Sequence, residues 1–154
     1  MRRRRPEKRT ILPDTKYNDL SVAKFINYIM ENGKKGVAEK IFYSAMEQVY
    51  KRTKTDGIKI FKKGIENTSP SVEVKSRRIG GATYQVPIEV PKKRAFYLAS
   101  LWIINASKNS SGKPMSEKLA SELIAAANGD GNAIKKKEDT HRMADANKAF
   151  AHFR

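Results

Sequence analysis

The sequence predicts a mainly α-helical protein: a six-helix single domain with a protruding two-stranded antiparallel β-ribbon and a basic N-terminal arm. Apolar residues recur every three to four positions in six separate stretches, as on one face of a helix. A pair of β-rich segments flanks two glycines, which is typical of a hairpin. Residues 1–17 have few apolar side chains and cannot form a core, so we expect an arm there and a helical domain over residues 18–154.

The first three helices are predicted in the N-terminal half. Asn18 or Asp19 is the N-cap of the first helix, whose amphipathic pattern stops before Gly33. The second helix, from about Lys34 to Arg52, has the longest regular apolar pattern in the chain. A short third helix is expected after an N-cap at Asp56.

The β-ribbon is predicted over residues 72–90. Its strands, 72–79 and 83–90, are separated by Gly80, Gly81 and Ala82. Proline has no N–H to donate, so Pro87 places the second strand at an edge. Because an isolated ribbon is only marginally stable, its inner end must lean on helices or its outer end must be held by a partner.

The last three helices complete the domain. Helix four, about Lys92 to Lys108, is apolar on more than one face and contains the single tryptophan, Trp102, so we expect it to be the central buried helix. Helix five follows Pro114. Helix six is predicted from about Asn132 to near the C-terminus.

Composition limits the function. The chain has 154 residues, 32 Lys and Arg against 16 Asp and Glu, a formal net charge of +16 and no cysteine. No segment is apolar and long enough for a membrane span or a signal peptide, so an intracellular, soluble protein is expected. The lack of cysteine excludes disulfides and thiolate chemistry, and no cofactor or metal is predicted. The excess positive charge indicates a polyanionic partner.

Enzyme signatures fail on inspection. Gly112 and Lys113 resemble the end of a phosphate-binding P-loop, but the position of its first glycine is occupied by Ser107. His141 lies four residues before Asp145, a spacing that could orient a general base, but the sequence fixes no nucleophile beside them. The sequence therefore predicts no catalytic residues and no enzyme.

Three predicted helices begin close to a basic cluster, namely Lys34–Lys35, Lys92–Arg94 and Lys135–Lys137. Cations at these positions oppose the helix dipole, at a cost of about 0.3–1 kcal/mol each at low salt. A phosphate bound at each helix N-terminus would remove that conflict, so we interpret all three clusters as phosphate sites. The alternative for each cluster is an ordinary solvated face.

The ribbon and the arm carry further candidate contacts. Lys75, Arg77 and Arg78 lie on one strand, with Tyr84 nearby as a stacking surface, and a basic ribbon fits a nucleic-acid groove. An ordinary solvated hairpin is the alternative. The arginines of the arm could equally be a nuclear-targeting tract or a solubilising tail, although arginine-rich segments also become ordered on RNA. The complete set of candidate RNA-binding residues is Arg2, Arg3, Arg4, Arg5, Arg9, Lys16, Lys34, Lys35, Lys75, Arg77, Arg78, Tyr84, Lys92, Lys93, Arg94, Lys113, Lys135, Lys136, Lys137 and Arg142.

Three segments carry a family resemblance: Lys24–Asn27 leading to Gly33–Lys35, the ribbon sequence Val72–Pro87, and Asp139–Phe150. Through these three segments the chain resembles the family of small-subunit ribosomal protein seven of bacteria and organelles, and the resemblance extends over nearly its whole length. The resemblance implies a six-helix fold with a protruding ribbon, and a primary binder of 16S ribosomal RNA that nucleates assembly of the head of the small subunit, in the cytoplasm. It also implies a ribbon near the exit site for transfer RNA, contacts with ribosomal proteins nine and eleven, and messenger RNA as a further candidate partner.

Two other functions remain open from the residues alone. A basic helical body with an arginine-bearing ribbon also suits an architectural DNA-binding protein that bends a duplex. An RNA-processing enzyme would use His141 as its base.

Overall fold

The computed structural model describes residues 10–153. This part of the chain contains six α-helices, one 3₁₀-helix and one two-stranded antiparallel sheet, which confirms the mainly α fold with a β-ribbon. The contacts group residues Met1–Glu39 into one compact unit and Lys40–Arg154 into a second, so each unit is described by itself. The predicted arm boundary at residue 17 stays a prediction.

The first unit contains a tight turn and helix α1, Leu20–Ile29. The Asp14 carboxylate accepts hydrogen bonds from the backbone N–H groups of Lys16 and Tyr17, at 3.1 and 3.0 Å. Asp19 then caps α1, because its side chain accepts from the Ser21 N–H at 2.7 Å. This confirms the second of the two predicted N-caps.

Helix α2, Lys35–Thr53, is the longest helix described and matches its prediction to one residue at each end. Helix α3, Gly57–Thr68, begins at the predicted cap, where the Asp56 carboxylate accepts from the Ile58 N–H at 3.1 Å. The rings of Phe42 and Phe61 are both fully buried and meet edge to face with centroids 5.4 Å apart. This contact joins α2 and α3 in the second unit.

The ribbon consists of β1, Val72–Ile79, and β2, Ala82–Glu89. Gly80 and Gly81 alone form the turn, with φ angles of +56° and +89°, and Ile79 pairs with Ala82. Two consecutive positive φ angles are characteristic of a type I′ turn, which matches the twist of the strands and favours glycine. The second strand therefore starts at Ala82, one residue earlier than predicted, because the turn needs only two residues.

Helix α4, Lys92–Asn109, contacts α3, α5 and α6, which confirms its predicted central position. Ile103 and Ile104 are buried in this core, whereas Trp102 is half-buried. Helix α5, Met115–Ala127, follows Pro114 as predicted.

Helix α6, Asn132–Ala146, is shorter than predicted. The Asn147 amide donates to the Met143 carbonyl oxygen at 2.7 Å and ends the α-helix, and the chain continues as a 3₁₀-helix over Lys148–Phe153, here called η1. Asparagine side chains compete with the backbone for hydrogen bonds, which explains why the helix stops at this residue.

Candidate nucleic-acid interface

Three contacts fix the ribbon to helices of the second unit, two at its inner end and one, through Tyr84, closer to the Gly80–Gly81 turn. Glu73 in β1 pairs with Arg94 in α4 at 3.1 Å. The backbone N–H of Ser71 donates to Nε2 of His141 in α6 at 3.2 Å. The ring of Tyr84 in β2 packs on Phe150 in η1, with centroids 5.3 Å apart. The expectation that the inner end leans on helices is therefore confirmed.

The outer half of β1 is exposed and basic. Lys75 pairs with Val86 and Arg77 with Tyr84, so both cations lie on the same face as those residues, while Arg78 lies on the opposite face. All three cations are exposed and, within residues 10–153, have no anionic partner. The Tyr84 ring, predicted as a stacking surface for nucleic acid, contacts the Phe150 ring in a tilted arrangement, and its stacking role stays a prediction.

The basic start of α4 contains two different kinds of cation. Lys92 and Lys93 are exposed, and no acidic residue lies in the first turn. The N-cap is Pro91, which offers no side-chain hydrogen bond to the helix. Arg94 instead donates to Glu73 and stacks over the Tyr97 ring, 5.4 Å from the centroid. Only Lys92 and Lys93 therefore still oppose the helix dipole, the unfavourable interaction from which a phosphate site was predicted.

A carboxylate of the protein already lies at the N-terminus of α6. The Glu122 carboxylate of α5 accepts from the Ala133 N–H at 2.8 Å and occupies the helix N-terminus where a phosphate was predicted. The Lys137 ammonium donates to the carbonyl oxygen of Asn67 in the last turn of α3, where a cation is favourable. Lys135 and Lys136 stay exposed, but the dipole argument no longer requires a phosphate here.

The first unit contributes the cluster before α2. Lys34 is exposed, and no partner for it is found in the described part of the chain. Lys35 forms an exposed ion pair with Glu39 at 3.8 Å. Lys16 lies over the ring of Tyr17, 5.6 Å from its centroid. Lys34 is therefore the clearest candidate for an external anion in this unit.

The remaining candidate RNA-binding residues lie outside the three basic clusters and the ribbon. Lys113 is exposed in the loop before α5. Arg142 and Asp139 form a solvent-exposed ion pair at 3.7 Å. Arg2, Arg3, Arg4, Arg5 and Arg9 lie outside the described residues.

His141 makes a structural hydrogen bond at the start of the ribbon. Its Nε2 is occupied as the acceptor for Ser71, a bond that fixes the strand start and does not activate a nucleophile. Across residues 10–153 no group of three or more His, Asp or Glu side chains could hold a metal ion. In the same range no helix has the length and apolar character needed to cross a bilayer.

Comparison with known proteins identifies the family. The model of the family described as ribosomal protein S7p/S5e matches residues 1–148. The chain belongs to this family. A small ribosomal subunit protein uS7 from an Anaeromyxobacter species is 59% identical over 153 residues, covering 99% of this chain and 98% of that protein. Proteins of the same name from Gemmatimonas aurantiaca and Thermotoga maritima are 57% and 56% identical, with at least 98% of either chain covered.

Membership in the S7p/S5e family confirms the resemblance drawn from the ribbon and from the helix segments. Ribosomal proteins of this family are structural components rather than enzymes, which agrees with the prediction that the protein is not an enzyme. An RNA-processing enzyme using His141 is therefore set aside.

Three structural side chains were missed by the sequence analysis. Asn67 donates to the carbonyl oxygens of Ala126 and Ala127, at 3.0 and 3.1 Å, and so completes the end of α5. Glu122 accepts from a backbone N–H at the start of α6, and Glu73 pairs with Arg94 at the start of α4. Their partners lie between 11 and 60 positions away in sequence, so no local pattern could have revealed them.

Proposed function

We propose that this chain is a structural constituent of the small ribosomal subunit that binds 16S ribosomal RNA and nucleates assembly of the subunit head, in the cytoplasm. Its exposed, unpaired cations carry the proposal: Lys34, Lys75, Arg77, Arg78, Lys92, Lys93, Lys113, Lys135 and Lys136 have no anionic partner in the described residues. Family membership and relatives named as small-subunit proteins support the same function.

The mechanism is binding without turnover. Helices α3 to α6 form a packed body in the second unit, and the ribbon is joined to that body by Glu73, Ser71 and Tyr84. Because the body and the ribbon base are already ordered, RNA binding need not pay to order them. Cations held at fixed positions can then contact phosphates from separate RNA helices and keep those helices in one relative geometry.

The ribbon extends the proposal to transfer RNA. The outer half of β1 carries the exposed Lys75, Arg77 and Arg78, and a basic two-stranded ribbon is narrow enough to enter a nucleic-acid groove. We propose that it lies near the exit site for transfer RNA. Messenger RNA and ribosomal proteins nine and eleven are further proposed partners.

Competition binding tests the main proposal. Labelled RNA transcribed from the head region of 16S ribosomal RNA is bound to the full chain and competed with the same RNA unlabelled or with duplex DNA of equal phosphate number, at equal salt. The proposal expects the RNA to compete strongly and the DNA weakly. The opposite ranking would contradict it and favour an architectural DNA-binding protein.

Site-directed cleavage tests the ribbon. Because the chain has no cysteine, Thr83→Cys gives a unique attachment point for an iron chelate, on an exposed strand position paired with Arg78. In assembled small subunits we expect hydroxyl radicals from this position to cut exit-site transfer RNA. The unsubstituted protein treated with the reagent is the control, and cuts confined to distant ribosomal RNA would contradict the location.

A further inference from the structure

We propose that a cleft beside Trp102 in the second unit binds one unpaired RNA base, an inference that rests on the proposed RNA-binding function. The cleft lies between α4 and α6 and has a volume of about 280 Å³. It is lined by Trp102, Asn105, Ala106, Asn109, Asn132 and Lys136.

The helix periods explain why these side chains converge. Trp102, Asn105, Ala106 and Asn109 occupy positions i, i+3, i+4 and i+7 of α4 and therefore share one face. Asn132 and Lys136 are i and i+4 on α6, which packs against α4. Two regular helices, rather than a loop, hold the site.

The polar groups of the cleft suit the edge of a nucleobase. Each asparagine amide presents two N–H donors and one carbonyl acceptor, the combination that complements the edges of bases. In the described part of the chain, none of the three amides has a hydrogen-bond partner, nor does the Lys136 ammonium have an ionic one. They therefore remain available to a ligand.

The Trp102 indole and the Lys136 ammonium favour a nucleotide over other small polar ligands. Trp102 is half-buried at the cleft wall, and unstacked bases of RNA commonly stack on such aromatic rings. Lys136 supplies a cation for the adjoining phosphate, and no carboxylate lines the cleft to repel it.

The dimensions favour a single flipped-out nucleotide. The volume of about 280 Å³ lies close to the lower end of the range of about 300–1,000 Å³ typical of sites for drug-sized ligands, which suits one planar base. Base edges of paired RNA lie in grooves that side chains read poorly, whereas loops and bulges expose them.

The single tryptophan makes the test direct, since all indole fluorescence of the chain comes from Trp102. The full chain is titrated with the 16S head-region transcript while RNA affinity is measured separately by filter binding. Stacking of a base on the indole should quench most of the fluorescence at saturation and protect it from acrylamide.

Substitutions separate the cleft from general electrostatics. Asn105→Ala should weaken RNA binding about fivefold, the size expected for one lost hydrogen bond, and reduce the quench. Alanine is the best helix former, so this change at an exposed α4 position should not destabilise the fold. Lys136→Ala should reduce both affinity and quench, whereas Lys135→Ala, an exposed lysine outside the cleft, should affect affinity only.

The outcomes distinguish this inference from the proposed function. Tight RNA binding with unchanged Trp102 fluorescence and wild-type affinity of Asn105→Ala would overturn the cleft site and leave the RNA-binding function intact. Failure of the transcript to bind would overturn both. Adenosine, guanosine, cytidine and uridine monophosphates form a second arm: if they quench at micromolar concentration while the transcript does not, the occupant is a free nucleotide, and the RNA assignment is wrong.

Discussion

Arg94 at the start of α4 donates two hydrogen bonds to one oxygen of Glu73 in β1, from Nη2 at 3.1 Å and from Nε at 3.3 Å. The Glu73 side chain is only 11% exposed, whereas that of Arg94 is 44% exposed. A residue predicted to bind phosphate thus ties the ribbon to the helical body. Without this guanidinium, the largely buried Glu73 carboxylate would have no cation beside it, which is unfavourable for a buried charge.

Arg94→Ala should therefore destabilise the fold. It leaves a nearly buried carboxylate without its donor, and because the pair is partly solvated we expect a loss of about 1–2 kcal/mol in the free energy of unfolding. Urea denaturation measures this loss in the free energy of unfolding. Lys93→Ala, at the neighbouring exposed position, is the matched control and should change stability by less than about 0.5 kcal/mol. Equal stability of the two variants would mean that the Arg94–Glu73 pair contributes nothing.

The double substitution Lys92→Ala and Lys93→Ala should maintain or raise the stability of the fold and lower its affinity for RNA. Removing two cations from the α4 N-terminus relieves an unfavourable interaction with the helix dipole, so stability should stay the same or rise by up to about 1 kcal/mol. RNA affinity should fall at the same time because two phosphate contacts are lost. Thermal unfolding and filter binding of one preparation measure both. A clear loss of stability would show that these lysines make structural contacts instead.

Glu122→Ala should destabilise α6. The change removes the acceptor of the Ala133 N–H and a negative charge at this helix N-terminus, at a cost of about 1 kcal/mol. Glu122→Gln keeps a hydrogen-bond acceptor but removes the charge, so it should lower the free energy of unfolding by less than Glu122→Ala does. Glu138→Ala, an exposed position in the same helix, is the control and should be nearly neutral in urea denaturation. If Glu122→Ala were equally neutral, the cap would have no energetic role.

Tyr84 and Phe150 should be energetically coupled. A double-mutant cycle with Tyr84→Ala and Phe150→Ala should give an interaction of about 0.5–1.5 kcal/mol in unfolding free energy, as expected for a packed aromatic pair. Additive effects on stability would indicate that the ring contact is incidental. A fall in RNA affinity with Tyr84→Ala but not with Phe150→Ala would then favour the predicted stacking role of Tyr84.

The features that sequence predicted correctly depend on residues close together in the chain. Asp19 and Asp56 cap helices through contacts two residues away, and the Gly80–Gly81 pair defines its own turn. The helices follow from apolar periodicity, which is likewise local.

The features that sequence could not predict depend on distant partners. The dipole argument assumed that a basic helix start has no internal counter-charge, but Glu122 supplies one at α6 and Glu73 holds Arg94 at α4. Lys137 reaches Asn67, 70 residues away. The Trp102 cleft had a local signal on α4, the polar positions at i+3 and i+7, but its second wall comes from α6.

The salt dependence of RNA binding tests the central claim most directly, namely that unpaired basic side chains bind phosphates of structured RNA. The affinity of the full chain for the 16S head-region transcript is measured over a series of monovalent salt concentrations at fixed magnesium. If about eight phosphates are neutralised, the logarithm of the association constant should fall against the logarithm of salt concentration with a slope of about −6. A slope near zero would contradict the account.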